Sequence, residues 1–407
     1  MEEWRSGPTV QPANNSNPAL CDAIANRIAE SPYRQITFAE YMELVLYHPQ
    51  HGYYATNALK IGPQGDFFTS PHLGADFGEL LAEQFVQMWE IMGRVVPFTL
   101  LEMGAGQGLL ALDILQYLEH HYPDFFEALE YVVIERSAAL RQEQQQRLQK
   151  FSDRLRWAWL EEIPISSITG CCFSNELVDA LPVHQFVIER GQLREIYVTA
   201  QADEKIRFVE VTGEPSTPRL IEYFDLVKIK LPSQAYPDGY RSEVNLAALD
   251  WLSIVAERLG RGYLLTIDYG YPASRYYSPP RQQGTLQCYY RHLRHDNPYI
   301  HIGRQDITAH VDFTALELWG ERCGLHKVGF TQQGMFLMAL GLGERIAALS
   351  TTGQAILEKG LTPLLRRREA LHQLIDPLGL GGFGVLVQSK GLTEAQNAQP
   401  LKGFKCY

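Results

Sequence analysis

The 407-residue sequence predicts an α/β fold on a mostly parallel sheet, and three observations carry that prediction. From Pro97 onward, short apolar runs alternate with segments of helical periodicity, the rhythm of parallel strands joined by helices. The first run hands over to its helix through three glycines, Gly104, Gly106 and Gly108. Hydrophobic residues make up 45% of the chain, enough for one large core with appendages or for two domains.

Taken in order, residues 1–17 are polar, with Pro and Asn, and read as a flexible tail. Residues 18–96 read as an N-terminal helical and lid region. One helix is expected from Pro18 to about Glu30 and another from Thr37 to Tyr47, where Phe38, Tyr41, Met42 and Val45 recur at helical spacing. Thr37 and Glu40 make a capping box for the second. A loop punctuated by Gly and Pro then leads to an amphipathic helix from about Ala75 to Met92.

Residues 97–407 carry the alternation. Strands are predicted at 98–103, 131–135, 155–160, 170–176 and 262–270, with helices over about 107–120, 137–150 and 244–259. "FVIERGQLREIYV" alternates and turns at Gly191, and "IRFVEV" continues it, so an antiparallel unit is inserted at about 184–243. Near the end, 312–323 reads as helix, "KVGFTQQGMFLMALG" as strand, 343–375 as helix and "FGVLVQSKG" as a closing strand.

Charge narrows the function. With 36 basic and 47 acidic residues the net charge is −11, which repels phosphate backbones. The one basic run, Arg366-Arg367-Arg368, falls on a predicted helix. Nucleic acid is therefore not expected as a partner, and a cationic substrate is favoured. Six cysteines stand at 21, 171, 172, 288, 323 and 406 without a C-x-x-C pair, and read as reduced thiols of a cytoplasmic protein. The first residues carry no basic-then-apolar leader pattern, and no run of 18 apolar residues exists to span a membrane.

The glycines pose the chemical question. A dinucleotide fingerprint would need its third glycine at 109, where Leu109 stands, and a P-loop would need a closing G-K-[ST]. The spacing G-x-G-x-G after an acid, "EMGAGQG", instead resembles motif I of the class I S-adenosylmethionine-dependent methyltransferases. That ligand has no pyrophosphate to wrap; it must lie against backbone, where a Cβ would intrude. The following helix N-terminus offers amide donors. Glu102 is then placed to accept from the amino-acid ammonium, and Glu135, ending the second strand, to accept both ribose hydroxyls, each bond worth roughly 1.5–3 kcal/mol. Glu161 or Glu162, past the third strand, is expected by the adenine.

"SNELVDALPVHQF" leaves the fourth strand at the sheet edge where ligands of open parallel sheets bind. Asn175, Glu176 and Asp179 there either face the departing methyl or simply cap a helix. With "ITFAEYMELVLYHPQHGYYA", "GDFFTSP", "LLEMGAGQG", "LLTIDYGY", "GTLQCYYRH" and "DITAHVDFTAL", the motif closely resembles the MidA-like methyltransferase family over about residues 18–390. The resemblance implies a Rossmann-like class I fold with a seven-stranded sheet, an N-terminal helical extension, S-adenosylmethionine as cofactor and arginine methylation of a partner protein. For the mitochondrial member it implies complex I assembly, through a respiratory NADH dehydrogenase subunit. The family's motifs fall on Glu102, Gly104, Gly106, Gly108, Glu135, Asn175, Glu176 and Asp179, and its "GDFFTSP" loop puts Asp66, Thr69 and Ser70 over the cofactor. His72 stands where relatives commonly carry an acid, marking a place where the substrate site can differ.

An arginine acceptor stays charged, its pKa exceeding about 12, so carboxylates must orient it instead of deprotonating it beforehand. Glu176 and Asp179 are the expected catalytic clamp, with Asp268 in reserve. Tyr269, Tyr271, Tyr276, Tyr277, Tyr289 and Tyr290 either wall a peptide groove or pack a loop. His292, His295, His301 and His310 lack a defined ligand geometry, and no metal is expected. A homodimer and a monomer are both open.

Overall fold

A computed structural model of the chain describes residues 15–56, 69–202, 206–291, 293–351 and 361–405. Most of the expected tail, Asp66, His292, Cys406 and the middle of the expected 343–375 helix lie outside the described residues.

The elements that position the site are α1 (Pro18–Glu30), α2 (Phe38–Tyr47), α3 (Asp76–Ile91), β1 (Phe98–Met103), α4 (Leu109–His121), β2 (Leu129–Ile134), α5 (Ala138–Arg147) and β3 (Leu155–Ala158). They continue with β4 (Ile168–Asn175), α6 (Leu246–Arg258), β5 (Leu259–Asp268), α7 (Phe313–Arg322), β6 (His326–Gln332), α8 (Leu361–Ile375) and β7 (Gly384–Lys390). The seven strands form one mixed sheet in the order β6-β7-β5-β4-β1-β2-β3. β5, β4, β1, β2 and β3 pair in parallel, while β7 runs antiparallel to both β5 and β6.

Alternation along the strands sends side chains to two cores. Leu100, Tyr131 and Phe173 face α3, α4 and α8, whereas Leu101, Val132 and Cys172 face α6 and α7. The parallel arrangement brings the ends of β1, β2 and β4 to one edge, with Met103 in register with Ile134 and Ser174. β4 and β1 are neighbours although not consecutive, so the chain departs in opposite directions there and leaves a crevice.

A second, antiparallel sheet contains strands 184–189, 192–202, 206–213 and 241–244, and Gly191 turns the first pair with φ 71°. α1 and α2 pack on it through Leu20, Ile24, Tyr41 and Val45 against Val198 and Phe208. Thr37 caps α2 by accepting from the Glu40 amide at 3.1 Å. Asn15 and Asn17 are tied to Tyr290, His301 and Ile302 by hydrogen bonds, which fixes the described end of the expected tail.

The strand expected through Gly341 is shorter than the apolar run predicts. β6 stops at Gln332 and a helix follows at Gln333–Leu337. Phe336, Leu337 and Leu340 are buried while Met335 and Met338 are exposed, a helical spacing concealed by unbroken hydrophobicity. The five described cysteines are free. Among the described residues no helix is long and apolar enough to cross a membrane.

Candidate active site

The three glycines leave β1 with φ of 73°, 52° and 75° at Gly104, Gly106 and Gly108, backbone that L side chains rarely adopt. At Gly106 an added Cβ meets no protein atom within 4 Å, so the position fronts the crevice it lines. The Gly106 carbonyl accepts from Gln144 Nε2 at 2.8 Å. The same amide donates to Glu135 Oε2 at 3.2 Å, and Gln144 Oε1 accepts from Trp157 Nε1 at 2.9 Å. One fully buried glutamine on α5 thus joins the glycine loop, the acid after β2 and a ring of β3.

Glu135 Oε1 also accepts from the Ser137 amide at 2.8 Å, and burial pushes its carboxyl up. Glu102 is buried on β1 and accepts from the Tyr131 hydroxyl at 2.6 Å. Burial raises its pKa to about 7, the Tyr131 bond opposing and the nearby Glu135 adding to the rise. A cation in the crevice would reverse that shift, since Glu102 loses solvent with no protein cation among the causes that act on it, whereas Arg141 already opposes the rise at Glu135.

Glu102, Glu135, Asn175 and Thr69 line the same crevice as Gly104 and Gly106, whereas Gly108 caps α4 just behind it. Glu161 is exposed and lines an adjoining cavity of about 600 Å³, which shares Glu135, Gly104 and Leu177 with the crevice. Glu162 accepts from the Trp159 amide at 3.1 Å and caps its own turn. Thr69 and His72 cap one another, their Oγ1 and Nδ1 2.7 Å apart, and burial pushes the His72 imidazole down, towards its neutral form. Tyr47 and Tyr54, from α2 and the turn after it, stack at 5.3 Å and roof the crevice.

Glu176 occupies the junction: it lines this crevice and a larger cavity of about 820 Å³. Its φ of 52° is a left-handed conformation costing about 1–2 kcal/mol in a non-glycine residue. Oε1 accepts from Asn175 Nδ2 at 3.1 Å and from the Ser70 amide at 3.4 Å. Burial, then the charge of Asp179, pushes the Glu176 carboxyl up to about 8. Asp179 is buried in the larger cavity's wall; Oδ2 accepts from the Tyr269 hydroxyl at 2.5 Å, and burial brings its pKa to about 6.

Asp268 is fully buried behind that wall. Its Oδ2 accepts from the Val178 and Asp179 amides at 2.9 and 3.2 Å and its Oδ1 from the Tyr269 amide, so it holds the turn that presents Asp179. Tyr269, Tyr271 and Tyr289 line the larger cavity, but Tyr276, Tyr277 and Tyr290 are core residues. Tyr276 and Tyr277 are drawn inward by hydroxyl bonds to Glu243, and Tyr290 by a His301 ring stacked at 4.0 Å. Gln144, Tyr131, Tyr47 and Tyr54 went unrecognised in the sequence, where nothing separates Gln144 from the glutamines beside it.

A parallel sheet with a glycine turn on its first strand, acids at the next strand tips and a second cavity across one shared glutamate defines a group-transfer enzyme that binds a nucleoside cofactor. Residues 80–331 match the family model for S-adenosyl-L-methionine-dependent methyltransferase, and the chain belongs to that family. A Drosophila melanogaster relative named protein arginine methyltransferase NDUFAF7 homolog, mitochondrial, is 30% identical, covering 91% of this chain and 85% of its own. The Rattus norvegicus protein arginine methyltransferase NDUFAF7, mitochondrial, is 27% identical over 93% and 86%. A Burkholderia thailandensis protein crystallised with S-adenosyl-homocysteine superposes with TM-score 0.82 at 30% identity, over 95% of this chain and 94% of that one. The protein is an S-adenosylmethionine-dependent methyltransferase. The cytoplasmic location expected from the cysteines is overturned by these relatives, which are named as mitochondrial. Unpaired thiols report a reducing surrounding and do not name the compartment.

Proposed function

We propose that the chain methylates an arginine presented by a partner protein. The observation that carries this reading is the cavity beyond Glu176, whose inner wall combines Glu176 and Asp179 with the rings of Tyr54, Tyr269 and Phe383. Carboxylates hold a guanidinium in a defined plane and aromatic faces attract its charge. The relatives' names, protein arginine methyltransferase, support the same choice.

Glu102, Gly104, Gly106, Gly108, Glu135, Asn175 and Thr69 would hold the cofactor, with Glu161 at the adenine side. Once bound, the cofactor supplies an electrophilic methyl on a positively charged sulfur. Glu176 and Asp179 orient the acceptor nitrogen, and Tyr269 and Asp268 hold Asp179 in place. Methylation leaves one proton to be released; Glu176 Oε2, in a site that favours the protonated carboxyl, receives it. Tyr47 and Tyr54 exclude water. We read 18–96 as a cap on a 97–407 catalytic part and the antiparallel strands between 184 and 243 as an insertion into it. A respiratory NADH dehydrogenase subunit, implied by the family resemblance, is the first acceptor to try.

The test is incubation with methyl-labelled cofactor and a lysate lacking this protein. Label in a protein band, released as methylarginine on hydrolysis, is the expected result. Label confined to a small molecule would assign the cavity to a small N- or O-acceptor instead.

A further inference from the structure

The cavity beyond Glu176 is lined by charges of both signs. Glu176 lines both the crevice and the cavity, as does Tyr54, which bonds Asp306, so these acids mark the crevice side, while Arg275 and Arg281 flank Tyr271 and Arg294 stands one strand from Asp306 across Tyr289. Arg275 and Arg294 are exposed and Arg281 half-buried. Arg275 and Arg281 each sit 4.3 Å from the centre of the Tyr271 ring, which also stacks on His310 at 5.0 Å. Burial and then the charges of Arg281, Arg294 and Arg275 push the His310 imidazole down to about 4.

None of the three has a carboxylate partner among the described residues. Elsewhere Arg219, Arg241, Arg345 and Arg367 each pair with an acid. In a chain with eleven more acids than bases, three cations without a carboxylate partner beside one opening make a local field that attracts an anion. The acids have the complementary deficit: Asp179 is 5% exposed, and its Oδ1 is buried with no hydrogen-bond partner. The cavity therefore awaits a ligand with a cation at its head and an anion behind.

Resting on the arginine reading above, we infer that the enzyme selects protein substrates with an acidic side chain flanking the acceptor arginine, read by Arg275, Arg281 and Arg294. A rounded cavity of about 820 Å³ is roughly 12 Å across, the reach of about three residues of extended chain, which bounds the spacing of the two charges.

Peptides carrying one arginine, with Glu, Gln or Lys three residues away on either side, test this with the full-length enzyme and labelled cofactor. The wild type should favour the Glu peptide over the Lys peptide in kcat/KM by on the order of tenfold, less at high salt. A variant combining R275E, R281E and R294E, its fold checked by adenosylhomocysteine binding, should invert the order. Equal use of all three peptides by the wild type, or a preference surviving the triple reversal, overturns the inference and leaves arginine methylation intact. No methylation of any arginine peptide, with label passing to another acceptor, sinks both.

Discussion

The hydroxyl of Tyr269 donates to Oδ2 of Asp179 at 2.5 Å, and the other oxygen of the same carboxylate is buried without a partner. One half of Asp179 is thus fixed and the other is unpaired. Tyr269→Phe removes the bond that holds the Asp179 pKa down. The acid limb of kcat/KM should therefore move to higher pH, with adenosylhomocysteine affinity within about threefold of wild type. A limb that does not move would detach Asp179 from catalysis.

Glu176 and Asp179 have pKa values raised to about 8 and about 6. A cationic acceptor needs the charged forms, so kcat/KM should rise between pH 6 and about 8, and Glu176→Gln should erase the upper part of that rise and cut transfer by roughly a hundredfold. The sign for stability is opposite. An acid that binds its proton more tightly when folded stabilises fully below its unfolded pKa, and that contribution is lost as pH rises through about 8. In thermal melts, wild type should lose stability from pH 5 to 8 and Glu176→Gln should lose less.

Gly106→Ala adds a methyl to open space in the protein, but at a φ of 52° and at the crevice wall. The melting temperature should fall modestly, the strain being about 1 kcal/mol. Adenosylhomocysteine affinity, by calorimetry, should fall at least tenfold. Unchanged affinity would place the cofactor elsewhere.

Gln144→Leu leaves the Trp157 indole and a Glu135 oxygen without their partner and frees the glycine loop. The expected loss is about 2–3 kcal/mol of stability with weaker cofactor binding. Stability and affinity should drop together, because the same amide serves both.

Much of the fold was legible where the local signal was decisive. β1 is bounded by Pro97 and the glycines and is buried throughout, and α1 begins on Pro18 at its first turn, as predicted. β6 was overextended because exposed Met335 and Met338 are as apolar as their buried neighbours. At the site, the acids at strand tips could be named because strand direction and glycine spacing place them. Gln144 could not, since its partners lie on three different elements. The tyrosine cluster divided because only the structure shows which hydroxyls find Glu243 in the core.

The most direct measurement is a crystal structure with adenosylhomocysteine and an arginine peptide bound together. The account predicts the ligand's sulfur at the opening beside Glu176, with the guanidinium across it, bonded to Glu176 and Asp179. A sulfur facing away from Glu176, or a guanidinium that bypasses both carboxylates, would contradict it.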